Sequence, residues 1–353
     1  MTRLLEILIS LAIVLGLYLA VALVLPSKRH LVEKTETNRK LTIVFDSLNS
    51  LRRFKDWNPL VLRDPRIQFS YSGPASGVGA RLDYVSKEDG LGKGSWEITE
   101  SVPREKISYK IENPERGSNK RTSFIFKPTG RNNRNVEITQ TYDVDYGWNL
   151  LGRYAGLYVS RHVGDDMKLG LSRIVGMLSA VPNVDYAVSG SKLTGFKVID
   201  RPAEDVLFVS AGSVERGNSQ IQASITANSE WIRRVMDANG LEAVGPVRIV
   251  TTDLARETYS FDVAQLVRKK DGSPIGNVAL QGPVKYEHIN PGKVATASYI
   301  GYMAELENAR NALRAWTLTS GYEVTGRAYE TYKSGVAGAF TENGEFDVYW
   351  PLK

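Results

Sequence analysis

The chain of 353 residues contains no cysteine and only three histidines, His30, His162 and His288. The absence of cysteine excludes disulfide bonds, thiolate metal sites, iron–sulfur clusters and a cysteine nucleophile. It does not indicate a redox compartment, because a chain without thiols is compatible with either side of a membrane. Three histidines far apart in sequence argue against a histidine metal site or a Ser-His-Asp triad. We therefore expect no metal and no cofactor.

Charge is distributed unevenly along a chain whose net charge is +6. Residues 1–189 contain 27 Lys and Arg against 20 Asp and Glu, whereas residues 190–353 contain 18 against 19. The length suggests about two domains, and the asymmetry indicates that they have different surfaces. The sequence shows no nucleic-acid-binding motif, and basic residues beside a membrane anchor usually meet anionic headgroups. No nucleic-acid partner is expected.

A long apolar run near the N-terminus ends at Leu25. Its nineteen residues from Ile7 onwards are interrupted only by Ser10, Gly16 and Tyr18. As a helix this run is about 28 Å long, enough to cross a hydrocarbon core of about 30 Å. The flanking residues are polar or break helices: Arg3, Pro26, Lys28, Arg29 and His30. Residues 1–30 are therefore predicted to be a single-pass anchor in a lipid membrane, which in a bacterium is the inner membrane.

Two questions about this segment stay open. A signal peptide cleaved at the small-x-small site Ala20–Ala22 is the alternative to an anchor. The positive-inside count places the following domains in the cytoplasm, whereas the usual behaviour of short N-terminal anchors places them on the other side.

The next region, residues 31–185, has the pattern of an α+β domain. Apolar and polar residues alternate from Ser95 to Glu100, from Lys106 to Ile111 and from Val136 to Tyr142, and Arg121–Phe126 is a further strand. A helix is predicted from Phe45 to Phe54. A longer helix is predicted from Val163 to Leu178, with one apolar stripe that covers the sheet: Met167, Leu171, Ile174, Val175 and Leu178.

Several short motifs in this region resemble the START-like, helix-grip superfamily, also called SRPBCC or polyketide cyclase-like. They are the segments 44–48 and Phe54–Pro59, which contains Trp57-Asn58-Pro59, then the segment 77–80 and Gly92-x-Gly94. The resemblance implies a cavity between a curved antiparallel sheet and the long helix, and binding of an apolar or amphipathic small molecule. Trp57 and Trp96 are candidate ligand-binding residues, and filling the interior as core residues is the equal alternative for both. Some members are enzymes, but no catalytic signature can be transferred.

The last region, residues 192–353, contains an internal repeat. A G-x-E-x-x-G pattern occurs at Gly240–Gly245 and again at Gly321–Gly326, 81 residues later, and Pro202 and Pro291 lie 89 residues apart. The difference predicts an eight-residue insertion in the first copy, placed in the polar stretch 212–220. Each copy is predicted to be strand, helix, strand, strand, so that the domain is a duplicated βαββ unit with a cleft at its pseudo-twofold axis.

This repeat resembles the gyrase-inhibitor-like, effector-binding superfamily. The matching segments are 297–302, the helix ending at Trp316, then 320–322, 329–332 and 347–352. The resemblance implies that Glu330 projects into the cleft and meets a cationic or polar ligand. Tyr332, Tyr299 and Trp350 are further candidate ligand-binding residues, and a position in the core is the equal alternative for each. A solvent-facing glutamate is the simpler interpretation of the same strand. The family's Asp-Pro is replaced here by Lys333-Ser334-Gly335.

Three functional hypotheses follow. The first is a membrane-anchored protein that binds a small hydrophobic or cationic molecule as a sensor, carrier or sequestering protein. The second is a hydrolase or cyclase that uses Glu330 to orient or activate water. The third is a protein-interaction module.

Overall fold

The computed structural model describes residues 2–353, which divide into two compact units. The first unit comprises the residues up to Asn183 together with Thr319–Gly321, and the second comprises Val184–Leu318 and Tyr322–Lys353. Both units combine helices with antiparallel sheets, so the predicted α+β fold class is confirmed.

The N-terminal helix α1 (Thr2–Val24) is apolar except near its start, where it contains Arg3 and Glu6. Its most apolar window of 18 residues has a mean hydropathy of 2.9, and most of its large side chains are exposed. The helix is long and apolar enough to cross a membrane, a property that a signal sequence shares.

Within residues 2–353, the sheet of the first unit has seven strands, all paired antiparallel in the order β1-β7-β6-β5-β4-β3-β2. The strands are β1 (Lys28–Thr37), β2 (Gln68–Ser72), β3 (Arg81–Val85), β4 (Lys93–Val102), β5 (Lys106–Glu112), β6 (Ser118–Thr129) and β7 (Asn135–Asp145). Strand β7 buries every second residue, as its alternating sequence predicts. In this strand order β7, the last strand in sequence, lies beside β1, the first.

The helices of this unit are α2 (Leu41–Leu48), α3 (Phe54–Trp57), α4 (Leu60–Arg63), α5 (Leu150–Ala155) and α6 (Val159–Ser179). Helix α6 packs against β1, β7 and the short helices and buries Met167, Leu171, Ile174 and Leu178. The predicted stripe is thus correct, except that Val175 is only half-buried.

The single helix predicted from Phe45 to Phe54 is wrong. Helix α2 ends at Leu48, and a separate turn begins at Ser50, whose side chain accepts a hydrogen bond from the backbone nitrogen of Arg52. A serine cap of this kind stabilises a new helical start instead of a continuing helix.

In the second unit the sheet contains β8 (Leu193–Arg201), β9 (Glu204–Glu215), β10 (Leu241–Ala243), β11 (Arg248–Leu254), β12 (Thr258–Lys269), β13 (Lys285–Ile289), β14 (Gly292–Ile300), β15 (Tyr329–Tyr332) and β16 (Glu345–Pro351). Its helices are α7 (Asn218–Ala238), α8 (Leu306–Thr319) and α9 (Gly335–Ala339). The strand order is β13-β9-β12-β11-β15-β16-β14-β8, and β10 pairs with β12.

This order reads as a repeat about its centre. Strands β9, β11 and β12 with α7 correspond to β14, β15 and β16 with α8, and the two copies meet at the β11–β15 pair, where Ile249 lies opposite Glu330. The predicted duplication is therefore present.

Two features of the repeat differ from the expectation. Each copy has one more leading strand, and the two leading strands are exchanged, because β8 pairs with β14 and β13 pairs with β9. The stretch 212–220 is also not a loop insertion, since its residues end β9 and begin α7. The first copy instead has a longer strand and a longer helix than the second.

Candidate functional site

A cavity lies in the first unit between the sheet and α6. It encloses about 680 Å³ when the open solvent at its mouth is included. Its walls combine aromatic, aliphatic and polar side chains: Trp57, Asn58, Pro59, Leu60, Arg63, Tyr84, Trp96, Ile111, Asn113, Glu115, Thr122, Gln140, Tyr142, Val163, Asp166, Met167 and Gly170. We call it the first cavity.

The predicted residues Trp57 and Trp96 both line the first cavity. They belong to a cluster of rings that meet edge to face, with centroids 6.1 Å apart for Trp57–Trp96 and 5.6 Å for Trp57–Phe124. Edge-to-face contacts fix the ring orientations, since the positive edge of one ring meets the negative face of the next. The apolar wall of the cavity is therefore rigid.

Gln140 places a polar atom in this wall. The residue is 5% exposed and lies on the buried face of β7. Thr122 Oγ1 donates to the Thr141 carbonyl oxygen at 2.7 Å, so it can only accept from Gln140 Nε2, at 3.2 Å. This fixes the amide orientation, and Oε1, a buried atom of a residue that lines the cavity, has no hydrogen-bond partner among residues 2–353.

Charged side chains form part of the lining of the first cavity. Arg63 and Asp166 form an ion pair, and burial raises the pKa of the Asp166 carboxyl although Arg63 opposes the shift. The buried Lys120 donates to the carbonyl oxygen of Asn113 at 3.3 Å and to that of Glu115 at 2.5 Å. Burial lowers the pKa of this lysine. The lysine therefore holds in place the loop that contributes Asn113 and Glu115 to the lining.

A second cavity lies in the second unit, between the first turns of α7 and α8, and encloses about 490 Å³ with its mouth. It is lined by Arg216, Asn218, Ile221, Leu254, Tyr259, Met303, Ala304, Glu307, Arg310 and Tyr332.

Glu330 is fully buried beside this cavity and is paired within the chain. Arg310 of α8 donates from Nε and Nη2 to the two carboxylate oxygens, at 3.2 and 2.8 Å, and from Nη2 to Tyr259 Oη at 3.2 Å. Burial by itself lowers the pKa of Arg310, but the negative charge of Glu330 outweighs that effect, and the pKa is raised. Burial, followed by the nearby Glu330 charge, raises the pKa of Tyr259 to about 12.

The other predicted residues of the second unit occupy different positions. Tyr332 lines the second cavity, and its buried hydroxyl has no partner within the described residues 2–353. Tyr299 donates to Glu305 at 2.9 Å and does not line the cavity. Trp350 also lies outside the lining, and its Nε1 donates to the Arg310 carbonyl oxygen at 2.9 Å.

Sequence reasoning missed Gln140, Arg310 and Tyr259. For the first two, the sequence does contain a signal, namely a polar residue within an apolar pattern. Gln140 is the polar residue in the apolar alternation of β7, and Arg310 lies in the apolar stripe of α8 with Leu306 and Leu313. Among residues 2–353, no group of three His, Asp or Glu side chains is arranged to hold a metal ion.

Comparison with known protein families and with curated protein sequences gives no match. Among solved structures, the C-terminal domain of EcmrR is similar at 18% identity, covering 45% of this chain and 97% of that chain, with a TM-score of 0.38. A hydrolase from Listeria innocua is similar at 14% identity over 45% and 91%, with a TM-score of 0.34. Truncated norcoclaurine synthase from Thalictrum flavum is similar at 10% identity over 43% and 94%, with a TM-score of 0.34. At these values the function of the chain has to be inferred from its own residues.

Proposed function

We propose that the chain is a membrane-anchored ligand-binding protein whose first cavity holds an amphipathic small molecule with a hydrogen-bond donor, such as a hydroxyl or amide group. The observation that carries this proposal is the unpaired, buried Oε1 of Gln140, a residue that lines the cavity together with Trp57 and Trp96. A buried acceptor without a donor costs about 1–3 kcal/mol. A ligand donor would remove that cost, while its apolar part would lie against Trp57 and Trp96.

The contacts of α1 support an anchor over a cleaved signal peptide. Ala22 is fully buried, and its carbonyl oxygen accepts from Arg153 Nη1 at 3.3 Å. The same nitrogen donates to the carbonyl oxygen of Leu23 at 3.1 Å. Removal of α1 would leave the buried Arg153 guanidinium without some of the carbonyl oxygens that accept its hydrogen bonds. A buried charge without hydrogen-bond partners lowers the stability of the fold. The helix is thus built into the first unit.

The topology supports the two resemblances. A sheet closed over one long C-terminal helix, with the cavity between them, fits a START-like domain. The palindromic strand order of the second unit fits the effector-binding superfamily. Both resemblances agree with a role as sensor, carrier or sequestering protein.

A pair of probe ligands tests the first cavity. Full-length protein in phosphatidylcholine nanodiscs is titrated with dodecanol, which donates a hydrogen bond, and with dodecyl methyl ether, which does not. We expect dodecanol at saturation to raise Tm by about 5 °C and the ether by much less. Gln140→Leu should remove the difference between the two ligands. No shift with either ligand, or an equal shift that Gln140→Leu leaves unchanged, would contradict the proposal.

A second candidate function is ligand binding in the second cavity, favoured by the buried Tyr332 hydroxyl at its wall. Because Glu330 is fully buried and both of its carboxylate oxygens accept from Arg310, a cationic ligand or a water could reach it only if the guanidinium moved. A neutral ligand that bonds the Tyr332 hydroxyl fits without displacement. Tyr332→Phe should weaken such a ligand at least tenfold, whereas an unchanged Kd would exclude this site.

A further inference from the structure

We propose that residues 147–158 of the first unit, which we call the rim segment, form a docking surface for a phospholipid bilayer. The segment contains α5 and the residues on either side of it. The inference goes beyond ligand binding, and it rests on the proposed function in one respect, namely that α1 crosses the membrane.

The rim segment is fastened to the last turns of α1. The ring of Tyr154 stacks on that of Tyr18 with centroids 4.6 Å apart, and its hydroxyl donates to the Tyr18 carbonyl oxygen at 2.8 Å. Arg153 is 8% exposed and donates to carbonyl oxygens of α1, including that of Leu23. Carbonyl groups at the end of a helix lack intrahelical donors, so the guanidinium acts as a cap. The position of the segment along α1 is therefore fixed.

The surface that the segment presents is apolar. Trp148 is 84% exposed, Tyr158 62%, Leu151 57% and Leu157 48%. Tryptophan and tyrosine concentrate where a membrane meets water, because their rings are apolar and their tips are polar. With two leucines beside them, they form the kind of surface found on segments that lie in the interface.

The depth of the contact on α1 agrees with this position. Six residues separate Tyr18 from Val24, the last residue of the helix, which corresponds to about 9 Å along the axis. Interfacial segments bury their apolar faces to about 5–10 Å. If the end of α1 marks the membrane surface, the stacking of Tyr154 on Tyr18 places α5 about 9 Å below that surface.

Charge next to the segment fits anionic headgroups. Lys28 begins β1 four residues after the end of α1, and its side chain is 77% exposed and lies 3.8 Å from Asp145. Arg161 lies in the first turn of α6, just beyond the segment, and is also exposed. Each basic residue near an anionic membrane surface contributes about 1 kcal/mol of attraction.

The first cavity lies in the same part of the unit. Its β7 residue Tyr142 pairs with Leu31, three residues after Lys28, and its β6 residue Thr122 pairs with Tyr142. Docking of the rim segment therefore places the cavity next to the lipid, the phase into which an amphipathic ligand partitions.

Single cysteines test the docking, because the native chain has none to interfere. Leu151→Cys and Leu157→Cys carry an NBD fluorophore on the rim segment, and Leu11→Cys carries it within α1. Val78→Cys is the matched control, since Val78 is apolar and 59% exposed but lies in the β2–β3 loop at the other end of the strands. Each full-length variant is placed in phosphatidylcholine–phosphatidylglycerol vesicles containing lipids with a nitroxide at acyl carbon 5 or 12.

We expect the carbon-5 nitroxide to reduce NBD fluorescence at positions 151 and 157 by about half, with little change at position 78, and the carbon-12 nitroxide to quench position 11. If position 11 is quenched while 151 and 157 behave like 78, the docking surface is wrong and the anchor stands. A blue shift of the NBD emission at positions 151 and 157 without quenching means that protein, not lipid, covers the rim segment. That result also overturns the docking. If position 11 is not quenched, the proposed anchor is wrong, and the docking inference fails with it.

Discussion

Gln140 is a polar residue on an otherwise apolar strand face, and its carbonyl oxygen reduces stability in the absence of a ligand. We expect Gln140→Leu to raise the free energy of unfolding by about 1 kcal/mol, because loss of the buried acceptor outweighs loss of the Thr122 contact. The same variant should lose the preference for dodecanol. Urea denaturation measures the stability, with Gln140→Glu as a control that should destabilise the fold by burying a charge. A destabilised Gln140→Leu would show that the amide has a structural role.

Arg310 and Glu330 form a buried ion pair whose members depend on each other. We expect Glu330→Gln to destabilise the second unit by about 3–5 kcal/mol, because it leaves the guanidinium buried without a countercharge. Urea denaturation followed by circular dichroism measures the loss.

The double variant Arg310→Met with Glu330→Gln is the matched control for the ion pair. It removes both charges at similar volume and should restore most of the stability. If the single variant is as stable as the native protein, Arg310 is not buried as the structure has it.

At the scale of single elements, Gly94 shows how closely β4 approaches its neighbours. A Cβ at this position would lie 2.3 Å from the Glu112 carbonyl oxygen and 2.4 Å from Tyr84 Oη. Since backbone and a buried ring cannot both move aside, Gly94→Ala should cost about 1–3 kcal/mol.

Gly176 provides the comparison for this prediction. It lies on the exposed side of α6 with no heavy atom within 4 Å of a Cβ. Gly176→Ala should therefore stabilise the protein by up to about 1 kcal/mol through helix propensity. Thermal unfolding of the two variants side by side measures both effects, and equal changes would contradict the close approach at Gly94.

Local pattern was sufficient to predict most of these elements. Strands β4, β5 and β7 and the buried stripe of α6 follow from residue periodicity alone. The G-x-E-x-x-G repeat predicted the duplication in the second unit. The exchange of β8 and β13 between the two copies could not be predicted, because it depends on pairing between strands far apart in sequence and adds no motif of its own.

The candidate site was less predictable than the fold. Trp57 and Trp96 could be proposed as cavity residues from a resemblance, and both line the first cavity. The pairing of Glu330 with Arg310 could not, because the two residues belong to different elements and only packing brings them together. A carboxylate that looks available in the sequence is thus engaged in the structure.

At the scale of the whole molecule, one chain joins an apolar helix to two units, each with its own sheet, helices and cavity. The basic surplus lies in the half that contains α1, where it suits an anionic membrane surface. The account therefore depends most on the first cavity, because its aromatic wall, buried acceptor and charged lining are the basis on which we propose an amphipathic guest.

The most direct test is a crystal structure of the protein grown with 12-bromododecanol, whose bromine gives an anomalous signal. We expect one bromine peak inside the first cavity, against the rings of Trp57 and Trp96, and the hydroxyl oxygen about 3 Å from Gln140 Oε1. A cavity that holds no bromine at a saturating concentration of the alcohol, or a peak found only outside the first unit, would contradict the proposed function.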